Sequence, residues 1–255
     1  MAGDGLRFFP AAMGFYLPET RAGSRAGATD VGAINGVERG LMRELMRGLM
    51  KYRVLLLCFG VLGISAQAQA LGNLRAAIGS GGFELDDGDL DVDADLSSAD
   101  FRAALQVNEH VFLRGQYTRY SANKIEIDGD KYDADMDLDT VRLGAGYGGD
   151  VGSIRLYGAA EYVSLDFEIE GESDDGNGWG VTLGIGDQNK SKLMWNAELT
   201  FLDVDGTGGA SLDASIGYRI TPVFAGLIGV QSYALEDDDS ELSFGSAYLG
   251  LQLSF

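Results

Sequence analysis

Ten short segments between Leu71 and Phe255 alternate apolar and polar side chains with a period of two. Successive side chains of a strand point to opposite faces, so the pattern predicts strands with one apolar and one polar face. The predicted spans are 73–85, 97–108, 111–122, 135–147, 153–167, 177–187, 192–203, 210–221, 223–235 and 241–255. In the second span Phe101, Ala103, Leu105 and Val107 share one face, and Arg102, Ala104 and Gln106 the other. The seventh sets Leu193, Trp195, Ala197, Leu199 and Phe201 against Asn196, Glu198 and Thr200. The eighth does the same with Leu212, Ala214, Ile216, Tyr218 and Ile220 against Asp213, Ser215, Gly217 and Arg219.

The connections alternate too. Short ones lie at Asn108-Glu-His110, 148–152, 187–192 and Thr221-Pro222. The others are acidic, beginning with Asp86, Asp87, Asp89, Asp91, Asp93 and Asp95 and recurring at 123–134, 168–176, 204–209 and 236–240. An even number of two-faced strands, joined by short turns on one side and longer loops on the other, is the pattern of a strand-built membrane span. An open sheet edge in lipid would leave N–H and C=O groups unsatisfied, so the sheet must close. The expected fold is therefore all-β: a closed antiparallel up-and-down transmembrane β-barrel of ten strands, with eight as the alternative. Short turns belong to the periplasm, which places both termini there and the acidic loops outside. Two segments slip phase: Met136 and Leu138 disagree with Val141, Leu143 and Ala145, and Ile78 disagrees with Phe83. A bulge, or a strand running on past the membrane, would explain either.

Upstream of Leu71 the pattern changes. Arg47, Lys51 and Arg53 precede the apolar run Val54 to Ile64, which is followed by Ser65-Ala-Gln-Ala-Gln-Ala70. The run is well short of the roughly 20 residues of a spanning helix. Basic start, short apolar stretch and small-residue end predict a secretory signal peptide over 46–70, leaving 71–255 as the mature barrel and 1–45 as an upstream extension without a folded role. Cys58, the single cysteine, would leave with the signal, so no disulfide is expected.

Charge divides at the same place. Residues 1–70 carry 8 basic and 5 acidic side chains, and residues 71–255 carry 11 and 34, so the mature part is near −23 against −20 for the whole. Such a surface repels phosphate backbones, which excludes nucleic-acid binding, and attracts cations.

The terminal run Tyr248-Leu-Gly-Leu-Gln-Leu-Ser-Phe255 alternates apolar residues and ends on phenylalanine. It resembles the strand by which outer-membrane barrels are recognised by their insertion machinery. Over residues 71–255 the chain is similar to the small Gram-negative outer-membrane β-barrel superfamily, including the membrane domain of outer-membrane protein A. The resemblance implies an outer-membrane location, outer-membrane lipid and lipopolysaccharide as partners, and the insertion machinery as a partner through the strand ending at Phe255. Members act as envelope-stabilising proteins, adhesins, small pores and, less often, enzymes, so no activity follows from the fold.

Candidate chemistry narrows this further. Arg75, Arg102, Arg114, Arg142, Arg155 and Arg219 fall mostly on lumen positions, where Asp100, Glu161, Glu198 and Asp213 can meet them. A barrel of eight to ten strands is narrow enough for side chains to fill it, so the expectation is a plugged polar core. A gated small pore for ions or small solutes is the alternative. The carboxylates of that core would also receive a new charge, which predicts that Leu199→Arg is much more damaging than Thr200→Arg. The single histidine, His110, falls in a periplasmic turn without a serine or cysteine partner, so no catalytic residue is assigned and a surface hydrolase is the least favoured reading. Asp89-Leu-Asp-Val-Asp93 resembles the start of a calcium loop, but Ala94 replaces the glycine and Asp100 the terminal glutamate. Asp89, Asp91 and Asp93 are thus weak candidates for Ca²⁺ or Mg²⁺, and no other cofactor is expected. Tyr117, Tyr120, Tyr162, Trp179 and Tyr233 read as an outer aromatic girdle, and Tyr147, Trp195, Tyr218 and Phe224 as an inner one. The expected function is a non-enzymatic envelope-structural or surface-interaction role.

Overall fold

In the computed structural model, which describes residues 72–86, 91–169, 171–187, 192–237 and 240–255, ten strands pair antiparallel with their sequence neighbours and the last returns to the first. The expected upstream extension and signal, with Asp87 and Asp89, lie outside the described residues. The strands are β1 (Gly72–Asp86), β2 (Asp91–Gln106), β3 (Val111–Ala122), β6 (Met136–Val151), β7 (Ile154–Ile169), β8 (Glu172–Asp187), β9 (Leu193–Val204), β10 (Thr207–Arg219), β11 (Phe224–Asp237) and β12 (Ser240–Ser254). A hairpin of β4 (Ile125–Ile127) and β5 (Asp130–Tyr132) stands between β3 and β6 and pairs with the upper part of β2. Closure runs from Asn73↔Ser254 to Asp86↔Glu241 on one side of β1, and from Gly72↔Leu105 to Asp86↔Asp91 on the other.

Following one hydrogen-bonded row shows how the sheet closes. The row leaves Val111 at the base of β3, passes Tyr147, Gly158, Leu183, Leu199, Leu212, Ser232, Gly245 and Gly82, and ends at Asp95, twelve residues above Val107, which stands opposite Val111 just past the base of β2. That stagger is the strand tilt a closed barrel needs.

Most strands run further than the sequence pattern indicates. Asp91, Asp93 and Asp95, expected in a loop, continue β2 opposite Asp86, Glu84 and Gly82. No bulge interrupts β1 or β6, and the apparent phase slips are those of strands that run on past the membrane, the second of the two explanations. Ile78 is 72% exposed and Phe83 2%, as one uninterrupted strand requires. Met136 and Leu138 face the interior together with Thr140 and Arg142. What changes along the strands is the chemistry of each face. In the lower part the outside is apolar, with Leu183, Leu199, Ile216, Leu249 and Leu251 all exposed to the surroundings, and the inside is polar. Higher up the inside is apolar and the outside carries Glu84, Asp93, Asp95 and Glu241. The lower part faces lipid, and the upper part is built like a water-soluble barrel.

Two Asp-Gly pairs set tight turns in the upper part. Asp128-Gly129 joins β4 to β5 with φ of 51° and 88°, and Asp205-Gly206 joins β9 to β10 with φ of 53° and 91°. Both central residues of such hairpins need positive φ, which aspartate tolerates and glycine adopts freely.

Candidate functional site

Among the described residues, the arginines and carboxylates of the lower interior form two clusters. In the first, Asp100 and Asp213 face Arg75 and Arg102. Arg102 donates from Nε to Asp100 at 2.9 and 3.1 Å, and from Nη2 to Asp213 at 2.6 Å and Gln231 at 3.0 Å. Arg75 Nη2 reaches the same two carboxylates at 3.3 and 3.4 Å, and its guanidinium lies 4.8 Å from the ring centre of Tyr248. Asp100 also accepts from Gln116 Nε2 at 2.9 Å and Thr118 Oγ1 at 2.8 Å, and the Tyr248 hydroxyl donates to Asp213 at 3.1 Å.

In the second cluster Arg114 donates to Glu161 at 3.0 Å and Glu198 at 2.6 Å, while Arg142 Nε donates to Glu161 at 2.6 Å. Arg142 Nη2 also donates to Thr200 at 2.7 Å and Thr182 at 3.0 Å. Tyr157 completes the set, its hydroxyl 2.6 Å from Glu198 and 2.8 Å from Asn196. Gly184 makes room for it, since a Cβ there would collide with the Tyr157 ring. Each cluster joins two cations to two anions and is neutral, and every strand of the barrel contributes to one or the other. Charges this buried are tolerable only when paired and hydrogen-bonded.

Not all the expected members are there. Arg155 and Arg219 stand near the start of β7 and the end of β10, six residues, or about 20 Å along the strand, from Glu161 and Asp213. The interior beside Thr200 is already occupied. Thr200 is 1% exposed and hydrogen-bonded to Arg142 and Thr182, so an arginine there would have no room and would meet another cation.

Above the clusters lies a layer that the alternation concealed. Phe83, Leu85, Tyr120, Met136, Val163, Tyr233 and Phe244 are all buried inside the barrel. Phe244 stacks on Tyr233 at 4.6 Å between ring centres and meets Tyr120 edge-on at 5.3 Å, and Phe83 stacks on Phe167 at 5.8 Å. Tyr120 and Tyr233 therefore belong to this plug and not to the outer girdle. Their facing is decided by strand parity, which their aromatic character alone does not reveal. Tyr162 and Trp179 are neighbours across β7 and β8 on the outer surface, and Tyr147, Trp195, Tyr218 and Phe224 also face out.

His110 lies in the turn before β3, its Nδ1 3.2 Å from the Gly148 carbonyl oxygen and its ring 5.3 Å from that of Tyr147. This is the end of the barrel opposite the collar of carboxylates formed by Glu84, Asp93, Asp95 and Glu241. Asp91 and Asp93 are strand residues on the outer face, where alternate side chains stand roughly 7 Å apart, and do not wrap a central ion as a calcium loop does. Among the described residues no group of three His, Cys, Asp or Glu side chains converges on a metal position.

Comparison with solved structures gives the architecture wider context. The outer membrane protease OmpT from Escherichia coli covers 75% of this chain and 99% of its own, at 9% identity and a TM-score of 0.57, a likeness of fold alone. Neisserial surface protein A covers 72% of this chain and 97% of its own at 15% identity and a TM-score of 0.40. OprG from Pseudomonas aeruginosa covers 73% and 96% at 11% identity and a TM-score of 0.42. No curated protein matches the sequence. Residues 54–255 match the family described as the outer membrane protein β-barrel domain, and the chain, an all-β closed barrel of ten strands with a lipid-facing apolar belt, belongs to that family.

Proposed function

We propose that this protein is a sealed, non-enzymatic outer-membrane barrel that works through its surface: it stiffens the envelope and presents an acidic collar to cationic partners outside the cell. The carrying observation is the filled interior, in which two neutral arginine–carboxylate clusters lie beneath an aromatic and aliphatic layer. Water and ions need a continuous polar path, and the apolar layer interrupts one. Among the described residues, Asp86, Asp91, Asp93, Asp95 and Glu241 of the collar lie on strands, so these carboxylates are held at fixed spacing. Both termini face the periplasm in this reading, with His110 on that side. The placement of the single histidine away from the collar supports a non-catalytic role.

Planar-bilayer recordings of purified protein test the seal. The expected result is no reproducible conductance steps, together with binding of a cationic peptide to the reconstituted barrel that weakens as salt is raised. Steps that change after Arg102→Ala would replace this reading with that of a gated small pore.

A further inference from the structure

We propose that the open edge of β8, beyond the end of β9, binds an extended peptide strand in which basic and apolar side chains alternate. The proposal rests on the reading of an acidic collar that meets cationic partners, and names the kind of partner and the place where it docks.

A closed barrel has no edge along its wall, but hairpins of unequal length leave edges at its rim. β8 pairs with β7 over its whole length, from Ile154↔Asp187 to Ile169↔Glu172, while β9 accompanies it only from Gly186↔Asn196 to Gly178↔Val204. One step further, the Asp205 N–H donates to the Asn177 carbonyl oxygen at 3.0 Å, and the Asn177 N–H donates to the Asp205 carboxylate at 3.0 Å. The chain then turns away through Gly206, at a φ of 91°, into β10. Among the described residues, no strand pairs with this side of β8 over 172–176, an edge of roughly 17 Å.

The bonds at Asn177 fix which groups are open. The N–H and C=O of one strand residue point to the same side, and successive residues point to opposite sides. Asn177 points towards β9, so Ser173 and Asp175 do too, while Asp174 and Gly176 point towards β7. The main-chain groups of Ser173 and Asp175 therefore continue the ladder that β9 leaves off, and an added strand takes them up by β-augmentation. β5 also has a free edge, but it is only three residues long and its Asp130 and Lys131 cancel in charge.

Side chains on the two faces select the sequence. On the outer face Asp139, Asp166 and Asp175 stand directly opposite one another across β6, β7 and β8, an unfavourable row with only Arg119 at its far end, 3.9 Å from Asp139. Asp203 and Asp205 add carboxylates at the foot of the edge, and the basic residues of β7 to β10, Arg155 and Arg219, lie at the other end of the barrel. A lysine or arginine beside Asp175 on the added strand extends this row with the missing charge. On the inner face the neighbours are Leu165, Phe167 and Val204, so the alternate side chains are apolar. Thr207, opposite Val204, is 9% exposed and its hydroxyl has no partner among the described residues; an incoming strand brings the carbonyl groups it lacks.

Protein purified from outer membranes in mild detergent is titrated with labelled Val-Lys-Val-Lys-Val-Lys and with Val-Val-Val-Lys-Lys-Lys, which has the same composition and charge. The alternating peptide should bind at least about tenfold more tightly. Asp175→Pro removes an N–H that faces the open side and none that faces β7, so it should keep its heat-modifiable mobility and lose about tenfold in affinity for the alternating peptide. In the unaltered protein that peptide should slow amide exchange at Ser173 and Asp175 and leave Asp174 and Gly176 unchanged, a readout that does not depend on the variant folding. Equal binding of the two peptides, undiminished binding to Asp175→Pro, or unchanged exchange at Ser173 and Asp175 would overturn the proposal. Equal binding would leave the collar as a diffuse cation-binding surface, whereas failure of both peptides to bind would refute the cationic-partner reading as well.

Discussion

Arg102→Met should destabilise the barrel by about 3–5 kcal/mol, the cost of removing one partner from a buried ion pair. The structure shows why the upper end is expected. Arg102 is 8% exposed and supplies the shortest contacts of its cluster, to Asp213 at 2.6 Å and to Asp100 at 2.9 and 3.1 Å. Without it, two buried carboxylates share Arg75 alone, at 3.3 and 3.4 Å, and the cluster carries a net negative charge inside a low-dielectric wall. At about 1.4 kcal/mol per tenfold, the folded-to-unfolded ratio should fall by roughly two to four powers of ten. Arg102→Met combined with Asp213→Leu removes one charge of each sign and leaves Arg75 paired with Asp100, so the double variant should recover most of the loss. Urea titration in detergent micelles, read by heat-modifiable mobility and by tryptophan fluorescence, gives all four corners of the cycle. Losses below about 1 kcal/mol for the single change, or a double variant equal to the sum of the singles, would refute the coupled cluster.

Four further outcomes follow from the geometry. Leu199, 40% exposed on the lipid face between Leu183 and Leu212, should cost about 2–4 kcal/mol as Leu199→Arg, while Asp203→Arg above the belt should cost little, both read as folded barrel recovered from membranes. Phe244→Ala should cost about 3–5 kcal/mol in the same urea titration, because it opens a cavity between Tyr120 and Tyr233. A cysteine at Asp91 should react with a membrane-impermeant thiol reagent on intact cells and one at Ser153 should not; the reverse would invert the topology. The Asp91 carboxyl is held above its ordinary range by loss of hydration and then by repulsion from Asp93, Asp86, Asp128 and Glu126. A raised folded-state value favours the protonated form, so the β1–β2 extension should be firmest at low pH and loosen as pH rises through that value. Asp91→Asn should flatten the dependence, measured as amide exchange in the hairpin.

The alternation of side chains was enough to place ten strands, to say which residues of β9 and β10 meet lipid, and to put Arg75, Arg102, Arg114 and Arg142 on the inside with their carboxylates. A strand has only two faces, and lipid accepts only one kind of side chain, so in the membrane-spanning part pattern and environment carry the same information. The Asp-Gly pair at 128–129 likewise signals a hairpin within the 123–134 connection, although its acidity reads first as loop. Above the membrane the link between pattern and environment reverses. Met136, Leu138 and Phe83 look like phase errors to a reader who assumes a polar lumen, and Tyr120 and Tyr233 look like girdle residues. Their place in an apolar plug follows only once the strands are known to run on past the lipid, where water is outside and the interior must be dry. The pairing of particular arginines with particular carboxylates is also a tertiary decision. Arg102 meets Asp213, and Arg114 meets Glu198, across the lumen rather than along the sheet. Those meetings depend on the barrel's diameter and stagger, which are set by all ten strands closing together and are written in no single segment.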